Sequence, residues 1–423
     1  MRISVFLIIV FLLFSCSEQM QVEKGNNVIP LAEAIANPIK MNLSEIVDSL
    51  VFIPMDAEPS IKDRMFIGYS KPYIIVYPAC VFNMQGQFLK RIGALGQGPG
   101  EESNGWGYSV YYDEDKDLFY TKGDKIIQFN KNGVFTGTEV RVTYRNKEQD
   151  NKVSAGLKSP YEFVRSGKYN VLINYPDSAF WIDKNLQTVK KERLIPNELF
   201  LNSPGGRVSM PYTFFTRNDT SFYFNCYTDE ISAITEEGMK RKWKLDLGQE
   251  KADNRCFLNY EKQLIEDEMV KIIRGSARNP ASMKIIAENS KLAKLIDGKK
   301  WINKAWESDR YILINWTELL AFQEYRSGRN TTYWAIYDKK EQKTSAINYL
   351  FNDMDGCVDF SPSNAIIGVN DGILMTSIWP YTIHEYVQKK KEKGEPIDSR
   401  LKALIENYNE EDNPILVLAY LKK

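Results

Sequence analysis

Few residues of this chain have the type and spacing that chemistry needs. Asp113, Asp115 and Asp117 alternate in a D-x-D-x-D string, with Asp124 twelfth. Alternating carboxylates suit Ca2+, but an EF-type loop needs glycine at its sixth position and here that residue is Leu118. The string reads more simply as a solvated hairpin turn, so these three aspartates form an incomplete metal set. Gly96, Gln97, Gly98, Pro99, Gly100 and Glu101 form the most distinctive local feature. Exposed N–H groups in such a loop can cradle an anion. It lacks the Lys-Ser/Thr of a phosphate-binding loop, so a close-packed crossover between structural units is the preferred reading. Trp106, Trp379 and Tyr381 flank glycine or proline and are candidates for a ligand-binding rim, where aromatic faces stack on sugars or peptides.

Other chemistry is narrowed by what is missing. The chain has 423 residues, 55 basic against 55 acidic, and one histidine, His384. One histidine rules out a metal site needing two. Balanced charge without a basic stripe argues against nucleic acid. There is no G-x-S-x-G elbow, no H-E-x-x-H and no S-x-D-x-G-x-T-W box. A carboxylate-dependent hydrolase or lyase leaves no local signature. It therefore stays as an alternative, although the balance is against an enzyme. No catalytic residue, metal or cofactor is assigned.

The elements that must position these residues begin with an address. Met1-Arg2 precedes an apolar run from Ile3 to Phe14. A helix of that length rises about 18 Å, too short to span a bilayer of about 30 Å, so residues 1–15 read as an export signal. Leu13-Phe14-Ser15-Cys16 resembles the lipobox of bacterial lipoproteins, which implies cleavage before Cys16 and its acylation. Several acyl chains on one residue give stable anchoring. Loss of residues 1–15 removes one arginine and leaves a net charge of −1. Residues 16–42 are a tether and lead-in, polar and aperiodic from Ser17 to Asn27. Cys80, Cys226, Cys256 and Cys357 lack a C-x-x-C spacing; three disulfide pairings are open, and four free thiols is the preferred state.

The body, 43–423, repeats. Tyr73–Tyr77 with Cys80–Leu89, Leu118–Tyr120 with Lys125–Phe135, Tyr169–Ile173 with Ala179–Leu186, Ser221–Phe224 with Glu230–Met239, and Tyr311–Ile314 with Thr332–Lys340 share one pattern. Each is strand, turn, strand and a tight turn, placed at Gly86, Gly133, Asn185, Gly238 and Lys340. Glycine and asparagine tolerate the positive φ of such turns. Ala365–Val369 with Gly372–Thr376 is a sixth, degenerate copy. Strand-rich repeats of about 50 residues mean a β-propeller, and the length fits six blades. Residues 256–300 break the period with helical spacing and read as an inserted helical hairpin. Residues 384–411 form a second helical segment, followed by a closing strand, 414–420. That strand and Ser49–Pro54 are expected to complete one blade and so close the ring. The fold class is all-β, a six-bladed β-propeller.

Three segments carry a family resemblance: KRIGALGQGPGE (Lys90–Glu101), LSEIVDSLVFIP (Leu43–Pro54) and EDNPILVLAYLK (Glu411–Lys422). They resemble a bacterial family of six-bladed β-propeller lipoproteins of uncharacterised function, across essentially the whole mature chain. The resemblance implies a fold shared with NHL- and TolB-like propellers and a place in the cell envelope, lipid-anchored at the outer membrane. It transfers no catalytic residue. The expected role is a ligand-binding or protein-interaction module for a glycan, peptide or protein. An envelope-assembly scaffold docking through 256–300 is a further alternative.

Overall fold

Runs such as Tyr73–Val76 and Cys80–Phe82 are apolar at every position because both faces of each strand are buried. In the computed structural model, residues 27–61, 67–70, 72–76, 79–102, 109–122, 125–141, 161–174, 178–194, 212–252, 298–319, 332–362 and 368–423 are described. The signal, Cys16, Trp106, Asp124, Cys256 and the expected insertion up to residue 297 lie outside them. Lys299 and Lys300, the last two residues of the expected insertion, belong instead to the blade strand Lys299–Glu307.

Six antiparallel sheets form the ring. Blade 1 is Ile67–Ser70, Tyr73–Val76, Cys80–Phe82 and Phe88–Arg91; blade 2 is Ser109–Asp113, Leu118–Lys122, Lys125–Asn130 and Phe135–Arg141. Blade 3 is Tyr161–Ser166, Tyr169–Asn174, Ser178–Ile182 and Thr188–Arg193; blade 4 is Tyr212–Arg217, Thr220–Asn225, Glu230–Thr235 and Gly238–Asp246. Blade 5 is Lys299–Glu307, Tyr311–Leu319, Thr332–Asp338 and Lys343–Phe351. Blade 6 is Gly368–Asn370, Ile373–Ile378, Ile415–Leu421 and, outermost, Val47–Pro54. The closing pair is antiparallel, with Leu418 opposite Val51. The sixth copy is thus the first and second strands of its blade, not the second and third as in the others.

Alternating side chains wedge the blades together. In blade 1, Ile74, Val76 and Phe82 pack on blade 6, while Ile75 and Val81 pack on blade 2. Trp181 is fully buried and its indole N–H donates to the Thr235 carbonyl of blade 4 at 2.8 Å. A buried large apolar side chain contributes about 1.5–3 kcal/mol, so the seams hold the ring.

The third-to-fourth turns carry the repeat. Asn83, Asn130 and Asp183 each accept two backbone N–H bonds from the turn that follows. Positive φ falls at Gly86, Gly133, Leu186, Gly238 and Gln342. Asn185 and Lys340 do not take that role, because the turn is counted from the Asx residue that opens it. At Gly86 a Cβ would sit 1.9 Å from the Pro54 carbonyl oxygen, so glycine is required there.

The lead-in is not a free tether along its whole length. Val28–Pro30 adds a parallel fifth strand to blade 4, and Ile39–Asn42 adds one to blade 5. Helix α1, Ala32–Ala36, joins them with Ile35 buried. The C-terminal helical segment is two helices, α2 (Pro380–Glu392) and α3 (Ser399–Asn407), set between the second and third strands of blade 6. Helix α2 starts earlier than expected because Pro380, lacking an N–H, fits the first helical turn. Among the described residues no helix is long and apolar enough to cross a membrane.

Candidate functional site

The first strands of neighbouring blades lie against one another, so they line the ring axis. In an antiparallel blade, the first-to-second and third-to-fourth turns share one face of the ring. The second-to-third turns and the crossovers share the other. The third-to-fourth tight turns lie on the first face, the tight-turn face. The glycine-rich loop and helices α2 and α3 lie on the second, the loop face.

The glycine-rich loop is the crossover from blade 1 to blade 2. Ala94–Leu95 pairs in parallel with Glu101–Glu102. The Gly98 N–H donates to the Glu101 carboxylate at 2.8 Å, and the Gly100 N–H donates to Glu139 at 3.2 Å. These two donors therefore already hold anions supplied by the chain itself. A Cβ on Gly96 would meet the Glu101 carboxylate at 2.0 Å. The loop folds around Glu101, and these contacts favour the crossover role over an external anion nest.

The three aspartates diverge. Asp113 is buried and pairs with Lys116 at 2.6 Å. Asp115 pairs with Arg165 of blade 3, and Asp117 accepts the Tyr112 hydroxyl at 2.8 Å and faces Lys131 at 3.4 Å. Among the described residues no cluster suited to a metal ion exists. The turn is a node of ion pairs rather than a solvated hairpin. No disulfide joins the described cysteines Cys80, Cys226 and Cys357.

Trp379 and Tyr381 stand together. Trp379 follows the second strand of blade 6 as the N-cap of α2, and its ring stacks on Tyr381 with centroids 6.4 Å apart and planes at 25°. Tyr381 is 48% exposed. Their backbone places both on the loop face. His384, on the same helix, donates from Nε2 to the Tyr408 carbonyl at 3.1 Å and so braces α2 against the chain after α3.

Three ionisable groups were not singled out by sequence patterns. Glu307 ends the inner strand of blade 5 and is 1% exposed. One of its oxygens receives Arg217 and Lys242 at 3.0 Å each and Lys339 at 2.9 Å; the other accepts the Trp243 indole N–H at 3.1 Å. Asp229 lies in the second-to-third turn of blade 4, 1% exposed, paired with Lys251 at 2.5 Å. Burial pushes its carboxyl up to about 6 against the pull of Lys251 and Lys244. Lys304 lies on the inner strand of blade 5 beside a bulge at Ile302–Lys304, and its side chain is exposed. A single residue of these types inside a strand carries no sequence signal; only the ring gives it surroundings.

The Asp229 pair predicts a pH effect. The native carboxyl binds its proton more tightly than the unfolded one, whose value is 3.8. Stability from this group is therefore greatest below about pH 4 and declines as pH rises through about 6, by on the order of 3 kcal/mol. Asp229→Asn, which tolerates the local φ of 51°, removes that slope. Urea unfolding of both proteins at several pH values checks it. A wild-type-minus-variant difference that stays constant from pH 4 to 7 contradicts it.

Fold and site together define a six-bladed β-propeller with a loop-bearing face and a lined axis. The chain belongs to the family of domains of unknown function DUF4934, which matches residues 26–420. Among solved structures it is similar to a Bacteroides fragilis protein described as exported, at 14% identity and a TM-score of 0.59, covering 94% of this chain and 100% of that one. BamB from Moraxella catarrhalis matches at 12% identity and a TM-score of 0.30, covering 70% and 65%. Streptogramin B lyase matches at 9% identity and a TM-score of 0.33, covering 88% and 98%. No curated protein matches the sequence.

Proposed function

We propose that this protein is a lipid-anchored binding module of the cell envelope, taking a glycan or peptide at the loop face of the propeller. The observation that carries the reading is the stacked Trp379–Tyr381 pair on that face, with Tyr381 48% exposed beside the second-to-third connection of blade 6. Large aromatic faces held rigid by strand and helix suit stacking on sugars and peptide side chains. An enzyme working through paired carboxylates gains no support: Asp229 is the one described carboxyl raised in pKa, and it is buried against Lys251. Purified protein on glycan and peptide arrays is expected to bind at least one class; complete silence contradicts the reading.

The address belongs to the same proposal. Cleavage before Cys16 and its acylation would anchor the chain at the outer membrane, facing the periplasm or the surface, and a kinship with NHL- and TolB-like propellers accompanies it. The exported description of the Bacteroides fragilis protein agrees with this address. Cys16→Ala is expected to release the protein from membranes and to abolish incorporation of labelled fatty acid. Unchanged fractionation contradicts the anchor.

A further inference from the structure

The ring axis is not lined evenly. Near the tight-turn face, the inner strands of blades 4 and 6 bond directly: the Asp371 N–H donates to the Thr216 carbonyl at 2.8 Å, and the Thr216 N–H donates to the Asn370 side chain at 3.1 Å. This link closes in front of the end of the blade 5 inner strand, where a Cβ placed on Gly372 would meet the Ser308 side chain at 3.8 Å, ordinary contact distance. The axis is thereby narrowed at the tight-turn end.

The charged side chains described on the inner strands each meet an opposite charge or, for Lys299, a carbonyl, with one exception. Asp113 has Lys116, Arg165 has Asp115, and Arg217 has Glu307 and Asp309. Lys299 donates to the Gln249 carbonyl at 2.8 Å, and Lys300 pairs with Glu318 at 2.8 Å. Lys304 stands mid-strand, three residues before Glu307. Among the described residues no carboxylate acts on its ammonium; its only close neighbour of note is the Trp306 ring, 6.0 Å from Nζ to centroid. The surrounding walls alone lower its pKa, although its side chain is reached by water. Beside it Asn303 donates to Asn315 at 3.0 Å, which leaves further amide capacity at the same level.

An unmatched cation between low-dielectric walls concentrates negative charge. We infer that Lys304 is the anion-recognition point of the axial cavity, and that the ligand presents a carboxylate to it, as a uronic-acid sugar or an acidic peptide does. A single ammonium is a point charge that balances one negative charge, and among the described residues no arginine acts beside it as a fork for a phosphate dianion. This inference rests on the binding reading above and specifies its ligand.

The test is calorimetric titration of the full mature chain at low salt with digalacturonate, with the tripeptide Ala-Glu-Ala and with inorganic phosphate. Binding of either carboxylate probe is expected, the responding probe identifying sugar or peptide. Lys304→Met should weaken it about tenfold or more, and Lys304→Arg should restore most of it. Silence of both carboxylate probes, phosphate binding as tightly, or unchanged affinity in Lys304→Met would overturn the inference. Array binding that survives Lys304→Met sinks this inference alone, whereas silent arrays sink the binding reading itself.

Discussion

Glu307→Gln is expected to destabilise the protein by about 3–5 kcal/mol, the usual cost of removing one partner from a buried ion cluster. Glutamine keeps the volume and removes the charge. Arg217, Lys242 and Lys339 would then face each other with only the more exposed Asp309, on Arg217, as a counter-ion among the described residues, their own side chains being 21%, 23% and 16% exposed. Burial by itself would push the Glu307 carboxyl up; the charges of Lys339, Lys242 and Arg217 outweigh it and hold the group below its ordinary 4.5. A lowered native value means that stability is present in full above about pH 4.5 and is lost as pH falls through the native value. The wild-type advantage over Glu307→Gln should therefore shrink in acid. The effect should be local to the seam of blades 4 and 5, where all four partners reside, and hydrogen exchange should accelerate there first. Urea unfolding at pH 7 measures the size. A change below about 1 kcal/mol would show that solvent already screens the three cations, as at an exposed pair.

Ending the chain after Pro414 should cost the folded ring altogether. The strand Ile415–Leu421 has six buried residues out of seven and pairs on both sides, with Ile373–Ile378 and with Val47–Pro54. Without it, two strand edges lose their partners at once, and Leu416 and Leu418 leave the cluster that joins blade 6 to blade 1. Unpaired edges template association between chains. Size-exclusion chromatography and circular dichroism should show aggregation and loss of the cooperative transition. A monomer with the wild-type transition would mean that the ring does not depend on this closure.

The ring was legible because it is written several times. The strands buried on both faces produce continuous apolar runs, and each third-to-fourth turn opens with an Asx residue whose side chain caps the turn. Asn83, Asn130 and Asp183 show it through their bonds to the following N–H groups. Counted from the Asx residue, the left-handed position of blade 3 is Leu186, whereas glycine and asparagine preference alone points to Asn185. The outer strands Val28–Pro30 and Ile39–Asn42 were hidden for a different reason. They are three and four residues long and half exposed, so no period can be read in them; their pairing with blades 4 and 5 is a tertiary fact.

Site residues divide in the same way. Trp379 and Tyr381 were visible because a large aromatic next to proline at an element boundary is unusual. Lys304 and Glu307 sit three residues apart in one strand and look alike in sequence as ordinary charged positions. The ring separates them: one is saturated by three cations, the other meets no anion among the described residues.

The most direct measurement is array binding of the wild-type protein beside a Trp379→Ala/Tyr381→Ala variant. Removing two stacked aromatic surfaces should cost roughly 1–3 kcal/mol of binding, a loss of about tenfold or more, with the melting transition preserved because Tyr381 is exposed. Binding by the wild type that weakens by that factor in the variant is the predicted result. A wild type that binds no glycan and no peptide, or a variant that binds as the wild type does, would contradict recognition at this face.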